Sequence, residues 1–164
     1  MISPLLVWTK ISFLPKFLKN FIFTRVVHFA NPYSSTIPFK VELYEKGLCI
    51  LEVKEKRAIR NPFSSIHAAA LVLLGETAGG LSVMSVMEPE ERFIVKSLTA
   101  TYLAKARGSI LASAKVDFNA LKKLRDAKGK GDLPMDIEIH QSNGKTKLAN
   151  IKVDFFVDCT KSKS

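Results

Sequence analysis

RNPFSSIHAAALVLLGETAGG, residues 60–80, is the stretch on which the reading of this chain turns. Between Arg60 and Glu88 only Glu76 carries a formal charge, and His67 is the sole histidine there. A helix over 66–87 built from apolar and small residues has no polar face, so it must be covered on every side. Glu76 lies near its middle. A carboxylate is almost never fully buried without a partner, so either the core satisfies Glu76 or a ligand cavity or subunit interface receives it. Pattern alone leaves both open. Segment 68–87 is also about long enough to span a bilayer. Against that stand Glu76, which opposes insertion by about 2.5–3.5 kcal/mol, three glycines, and strand-like sequence on both sides. Ser64 and Ser65 precede the apolar run as natural N-caps.

Working outward, residues 39–46 (FKVELYEK) alternate, with Phe39, Val41 and Leu43 on one face, and Gly47 allows a turn into LCILEVKEK, residues 48–56. This predicts a hairpin. NPYSSTIP, residues 31–38, reads as a loop. Residues 93–118 are rich in β-formers and predict two strands joined near 105–108, and 121–134 (LKKLRDAKGKGDLP) reads as a charged connection. The end predicts another hairpin, with a type I′ turn at Asn143-Gly144 and Ile151, Val153, Phe155 and Val157 alternating along the returning strand. One antiparallel sheet wrapped around a long central helix, with an extra N-terminal helix, is the economical α+β solution.

The chain has 164 residues, enough for a single domain with one real core, and a net charge of +10. That charge favours anionic partners. Half the excess lies in residues 1–41, which hold Lys10, Lys16, Lys19, Arg25 and Lys40 and no Asp or Glu. Residues 11–29 suit two readings: a mitochondrial transit peptide, or a retained amphipathic helix with Phe13, Phe17, Phe21 and Ile22 at helical spacing. The second is expected, with residues 1–30 as part of one domain over 1–164, and peripheral membrane contact through that helix follows as an option. Cytoplasmic location is expected, mitochondrial being the alternative. Cys49 and Cys159 lack metal-ligand spacing and read as free, packed thiols. There is no G-x-S-x-G elbow, Walker or dinucleotide glycine pattern, zinc spacing or nucleic-acid module. No cofactor, metal or nucleic acid is expected.

Several spaced pieces resemble one family. Asn61, then His67-Ala68-Ala69 opening a helix, then an acid nine residues past the histidine, resemble the active-site stretch of PaaI-like hotdog-fold acyl-CoA thioesterases. Asn31-Pro32-Tyr33-Ser34, Arg60 to Ala68, Gly75 to Gly80 and Tyr102 to Gly108 are closer still to the thioesterase-like subgroup DUF4442. The chain departs from the family's H-G-G at Ala68 and Ala69, and carries Glu76 where Asp is frequent.

The resemblance implies a hotdog fold and hydrolysis of an acyl-CoA or related thioester by a homo-oligomer. A thioester carbonyl needs a donor for its developing oxyanion and a base or nucleophile for its carbon. Amides at the helix start, near His67 and Ala68, suit the first, and Glu76 suits the second as base or nucleophile, with Asn61 holding water or orienting the carboxylate. Lys105, Arg107, Gly108 and Ser65 are expected at the CoA or substrate. Ala68 and Glu76 lie about 12 Å apart along one helix at roughly 1.5 Å per residue, so a single thioester needs Glu76 from another subunit. The alternative is a non-catalytic acyl-CoA or lipid-binding protein on the same fold.

Overall fold

The structure is a computed structural model that describes residues 4–160. Helices α1 (Pro4–Lys10) and α2 (Lys16–Ala30) lead into strands β1 (Phe39–Glu45) and β2 (Leu48–Lys54). The long helix α3 (Ala68–Met84) follows, then β3 (Arg92–Tyr102), β4 (Ser109–Lys115), α4 (Phe118–Asp126), β5 (Lys130–Gln141) and β6 (Lys147–Asp158). The six strands form one antiparallel sheet in the order β1-β2-β4-β5-β6-β3.

Helix α3 lies across this sheet against β1, β2, β4, β5 and β6. Two glycines on its inner face set how closely it packs. A Cβ on Gly75 would stand 2.8 Å from Cγ1 of Ile151, and one on Gly79 would stand 3.2 Å from the Phe155 ring. The sheet contributes its alternating inward residues, among them Leu133, Met135, Ile137 and Ile139 from β5 and Ile151, Val153, Phe155 and Val157 from β6. These side chains are removed from water on both flanks and dominate the core. Both cysteines are free and buried. Among the described residues no helix is long and apolar enough to cross a membrane.

Four local expectations are corrected. First, a bulge at Glu42 breaks the alternation in β1, so Tyr44 rather than Leu43 joins Phe39 and Val41 inside. Its hydroxyl donates to the Leu81 carbonyl at 3.0 Å, tying β1 to α3. Second, the stretch 121–134, expected as a charged connection, instead runs from within α4 into the start of β5, and α4 is capped by Asp117, whose carboxylate accepts from the Asn119 and Ala120 amides. Third, the last hairpin turns with only Gly144 at positive φ and the Asn143 side chain accepting from the Lys145 amide. A type I′ turn needs positive φ at both central residues, so the turn is of another kind. Fourth, the N-terminal segment is two helices separated at Pro15, and its inner face is not the phenylalanine stripe.

That inner face consists of Asn20, Phe23, Thr24 and Val27. It covers the outer edge of β1. The Val41 amide donates to Thr24 Oγ1 at 2.9 Å, and Asn20 Nδ2 donates to the Glu42 carbonyl at 3.3 Å. An edge strand otherwise presents unpaired backbone groups, and α2 closes this one. Among the described residues the opposite edge, β3, pairs only with β6, and it exposes Ile94 and Val95.

Candidate active site

The segment before α3 is shaped by Asn61. Its Oδ1 accepts from the Phe63 amide at 2.9 Å and from the Ser65 amide and hydroxyl at 3.2 Å, while Nδ2 donates to Ser65 Oγ at 2.9 Å. These bonds curl residues 61–65 into a tight loop with Ser64 at φ 56°. Two backbone bonds then fix the exit: Ile66 N–H to the Ala106 carbonyl and His67 N–H to the Ile59 carbonyl, each 2.8 Å.

The N-cap of α3 is His67, not the serines expected for it. Its Nδ1 accepts from the Ala69 amide at 3.1 Å, so that nitrogen is unprotonated when the cap is made. The amides of Ala70 and Leu71 both donate to the His67 carbonyl. Of the first-turn amides, that of Ala68 alone meets no acceptor among the described residues. A helix N-terminus leaves such donors for an incoming acceptor, and the helix dipole favours negative charge there.

A cavity of about 370 Å³ opens at this point. Asn61, Ser65, Ile66, Ala68 and Leu71 line one side, and residues 102–106 the other. The structure thus brings together Asn61, Ser65, Ala68 and Lys105. Tyr102, Leu103, Ile66 and Leu71 join them without having been singled out; Tyr102 opens the Tyr-x-x-Lys-Ala-Arg-Gly run that carried the resemblance. Its hydroxyl lies 3.4 Å from the Ala68 carbonyl.

Other expected residues stand apart. Arg107 and Gly108 are exposed and outside the cavity lining. Gly108, at φ 65°, exchanges 2.7 Å bonds with Glu55: its amide donates to the Glu55 carboxylate and its carbonyl accepts from the Glu55 amide. The Gly108 amide, joined by Arg60 2.5 Å away, holds the Glu55 carboxyl below the usual carboxylate range. Glu76 lies two turns along α3, half-buried, with no hydrogen bond or ion pair among the described residues. With Val72, Leu73 and Gly80 it shares the side of α3 turned away from the sheet, where a Cβ on Gly80 would meet nothing within 4 Å. A larger groove, about 950 Å³, runs between α2 and β1 and holds none of the residues singled out for catalysis.

The family described as a domain of unknown function, DUF4442, matches residues 19–157. A 1,4-dihydroxy-2-naphthoyl-CoA hydrolase from Listeria monocytogenes is 28% identical over 80 residues, covering 48% of this chain. The match spans 65% of that relative, slightly under two thirds of its length. Among solved structures, a Pseudomonas aeruginosa protein of unknown function superposes with a TM-score of 0.74 at 20% identity, over 88% of this chain and 96% of its own. A thioesterase from Haemophilus influenzae gives 0.68 at 15% identity, over 85% and 90%. At such identities the likeness is one of fold, the hotdog arrangement of a sheet around a long helix.

Proposed function

The chain belongs to the DUF4442 family, and from that premise we propose that it hydrolyses an acyl-CoA or related acyl thioester to the free acid and thiol. The observation that carries this reading is the unpaired amide of Ala68, at the N-terminus of α3, in a residue that lines a cavity together with Lys105. The relationship to a CoA hydrolase supports the substrate class.

The thioester carbonyl oxygen sits at the Ala68 amide. Glu76 removes a proton from water, whose oxygen bonds to the carbonyl carbon as the C=O electrons move onto oxygen. The oxyanion is held by the amide and the helix dipole, the kind of preorganised donor that is worth about 10²–10³ in rate. Collapse re-forms the carbonyl, breaks the C–S bond, and the thiolate leaves with the proton held by Glu76. His67 sets the direction of the helix start, and Asn61 with Ser65 forms the wall beside it. Lys105, with Arg107 nearby in sequence, supplies positive charge for the CoA phosphates.

Ala68 and Glu76 of one chain are eight residues apart, about 12 Å along the axis, and Glu76 does not line the Ala68 cavity. The working site therefore pairs the helix start of one copy with Glu76 of a second. The open side of α3 and the edge strand β3 are surfaces for such a homodimer.

The test is thiol release from short, medium and long acyl-CoAs. Wild type turns over at least one class, and Glu76→Gln lowers kcat by about 10²-fold or more. Glu76→Gln at wild-type rate would remove the assignment. Tight acyl-CoA binding with no turnover at any length would instead make the protein a non-catalytic binder.

A further inference from the structure

Helix α2 is apolar on two sides. Its buried side meets β1, yet Phe17, Phe21 and Phe29 are 75%, 58% and 91% exposed, Phe17 and Phe21 at the wall of the groove between α2 and β1, and Phe13, in the turn before the helix, is 81% exposed. These four residues and Arg25 fall at positions 13, 17, 21, 25 and 29. A spacing of four places successive side chains in one row on a helix surface. Phe17, Phe21, Arg25 and Phe29 form an exposed, largely apolar strip that winds along α2 away from the α2–β1 groove, which Phe17, Phe21 and Arg25 line, and Phe13 lies beyond its N-terminal end. Arg25 stands 5.4 Å from the Phe21 ring centroid, so cation and aromatic share the strip.

The surroundings select the occupant. Lys10, Lys16, Arg25 and Lys40 are all exposed, and none pairs with a carboxylate among the described residues. Lys19 differs: it is half-buried, and its ammonium lies 3.7 Å over the Trp8 ring. No Asp or Glu occurs before Glu42. Glu42 lines the same groove as Lys16, Phe17, Phe21, Arg25 and Lys40, and its carboxylate accepts from Asn20. The strip thus combines exposed aromatic rings with unneutralised cations, the composition of a helix that lies in the plane of an anionic bilayer. An acyl-CoA with a long chain partitions into the same interface.

We propose that the exposed side of α2 at the rim of this groove, with Phe13 and Phe29 at its two ends, docks the protein on anionic membrane surfaces, with the phenylalanines entering the headgroup region and Lys16 and Arg25 meeting lipid phosphates. The proposal does not depend on hydrolysis. It is tested by sedimenting the full chain with phosphatidylcholine vesicles and with vesicles containing phosphatidylglycerol. Binding is expected to the anionic vesicles, to weaken by at least about tenfold in Phe17→Ser/Phe21→Ser, and to weaken by about fivefold or more per charge in Lys16→Glu/Arg25→Glu. Because all four positions are exposed, thermal unfolding should be unchanged in both variants. The proposal is overturned if the chain stays in the supernatant with anionic vesicles, or if the serine variant pellets like wild type. It is equally overturned if the serine variant only abolishes self-association in solution, which would make a second copy the occupant.

Discussion

Ala68 is the first residue of α3, and its unpaired amide is the donor that the proposed chemistry uses. Proline is tolerated at this helix position because the amide has no intrahelical partner. His67, at φ −62° and ψ 139°, already has the extended backbone that a following proline requires. Ala68→Pro should therefore leave the melting temperature within a few degrees of wild type while lowering kcat by about 10²–10³-fold. An unchanged kcat would show that the amide does not hold the oxyanion. His67 separates capping from chemistry in the same way. Asparagine is a strong N-cap whereas loss of a cap costs about 1 kcal/mol, so His67→Asn should keep both stability and turnover and His67→Ala should lose stability in chemical denaturation. Gly75 carries a packing constraint: Gly75→Ala drives a methyl group onto Ile151 and should cost about 1–3 kcal/mol.

At the scale of elements, Arg125 of α4 fastens the segment between α3 and β3. It reaches Glu91 through two bonds of 2.7 and 2.5 Å and the Val86 carbonyl at 2.7 Å. Burial alone would raise the Glu91 pKa, but the Arg125 bonds and the Glu88 amide outweigh it and hold the carboxyl below its usual range. A depressed folded-state value means that this stabilisation is full above the unfolded-state pKa of about 4.3 and is lost as pH falls through the folded value. Urea midpoints should hold from neutral pH down to that point and then decline. Arg125→Ala strands a buried carboxylate and should cost about 3 kcal/mol at neutral pH.

The elements also explain what the sequence could disclose. The central helix was legible because nearly every residue in 66–87 is apolar or small, and the terminal strands because period-two alternation survives in β6. The orientation of α2 was not legible. It has two apolar faces, and what decides between them is the need of β1 for partners, which Asn20 and Thr24 supply across 17 to 22 residues of sequence. Leu43 was misplaced by a one-residue bulge that leaves no mark in composition. Pattern points to Ser64 and Ser65 as the helix start, but those residues close the Asn61 loop. Ser65, Asn61, Ala68 and Lys105 do come together, whereas the backbone of Gly108 is occupied by Glu55, a contact that no local spacing announces.

For the whole molecule, the proposed site requires two copies. Glu76 and Gly80 occupy the side of α3 turned from the sheet, and the space beside Gly80 is open within one chain. Gly80→Lys should therefore fold normally, run as a monomer in sedimentation velocity, and lose turnover. A Gly80→Lys protein that is monomeric and fully active would contradict a shared site. The most direct measurement combines two defective chains. Glu76→Gln and Ala68→Pro are each expected to be inactive alone, and mixing them through unfolding and refolding yields heterodimers. If Glu76 of one copy serves the helix start of the other, each heterodimer holds one intact site, and an equimolar mixture recovers about a quarter of wild-type turnover. If the mixture stays as inactive as its components, the two residues do not act across the subunit boundary and the shared site is wrong.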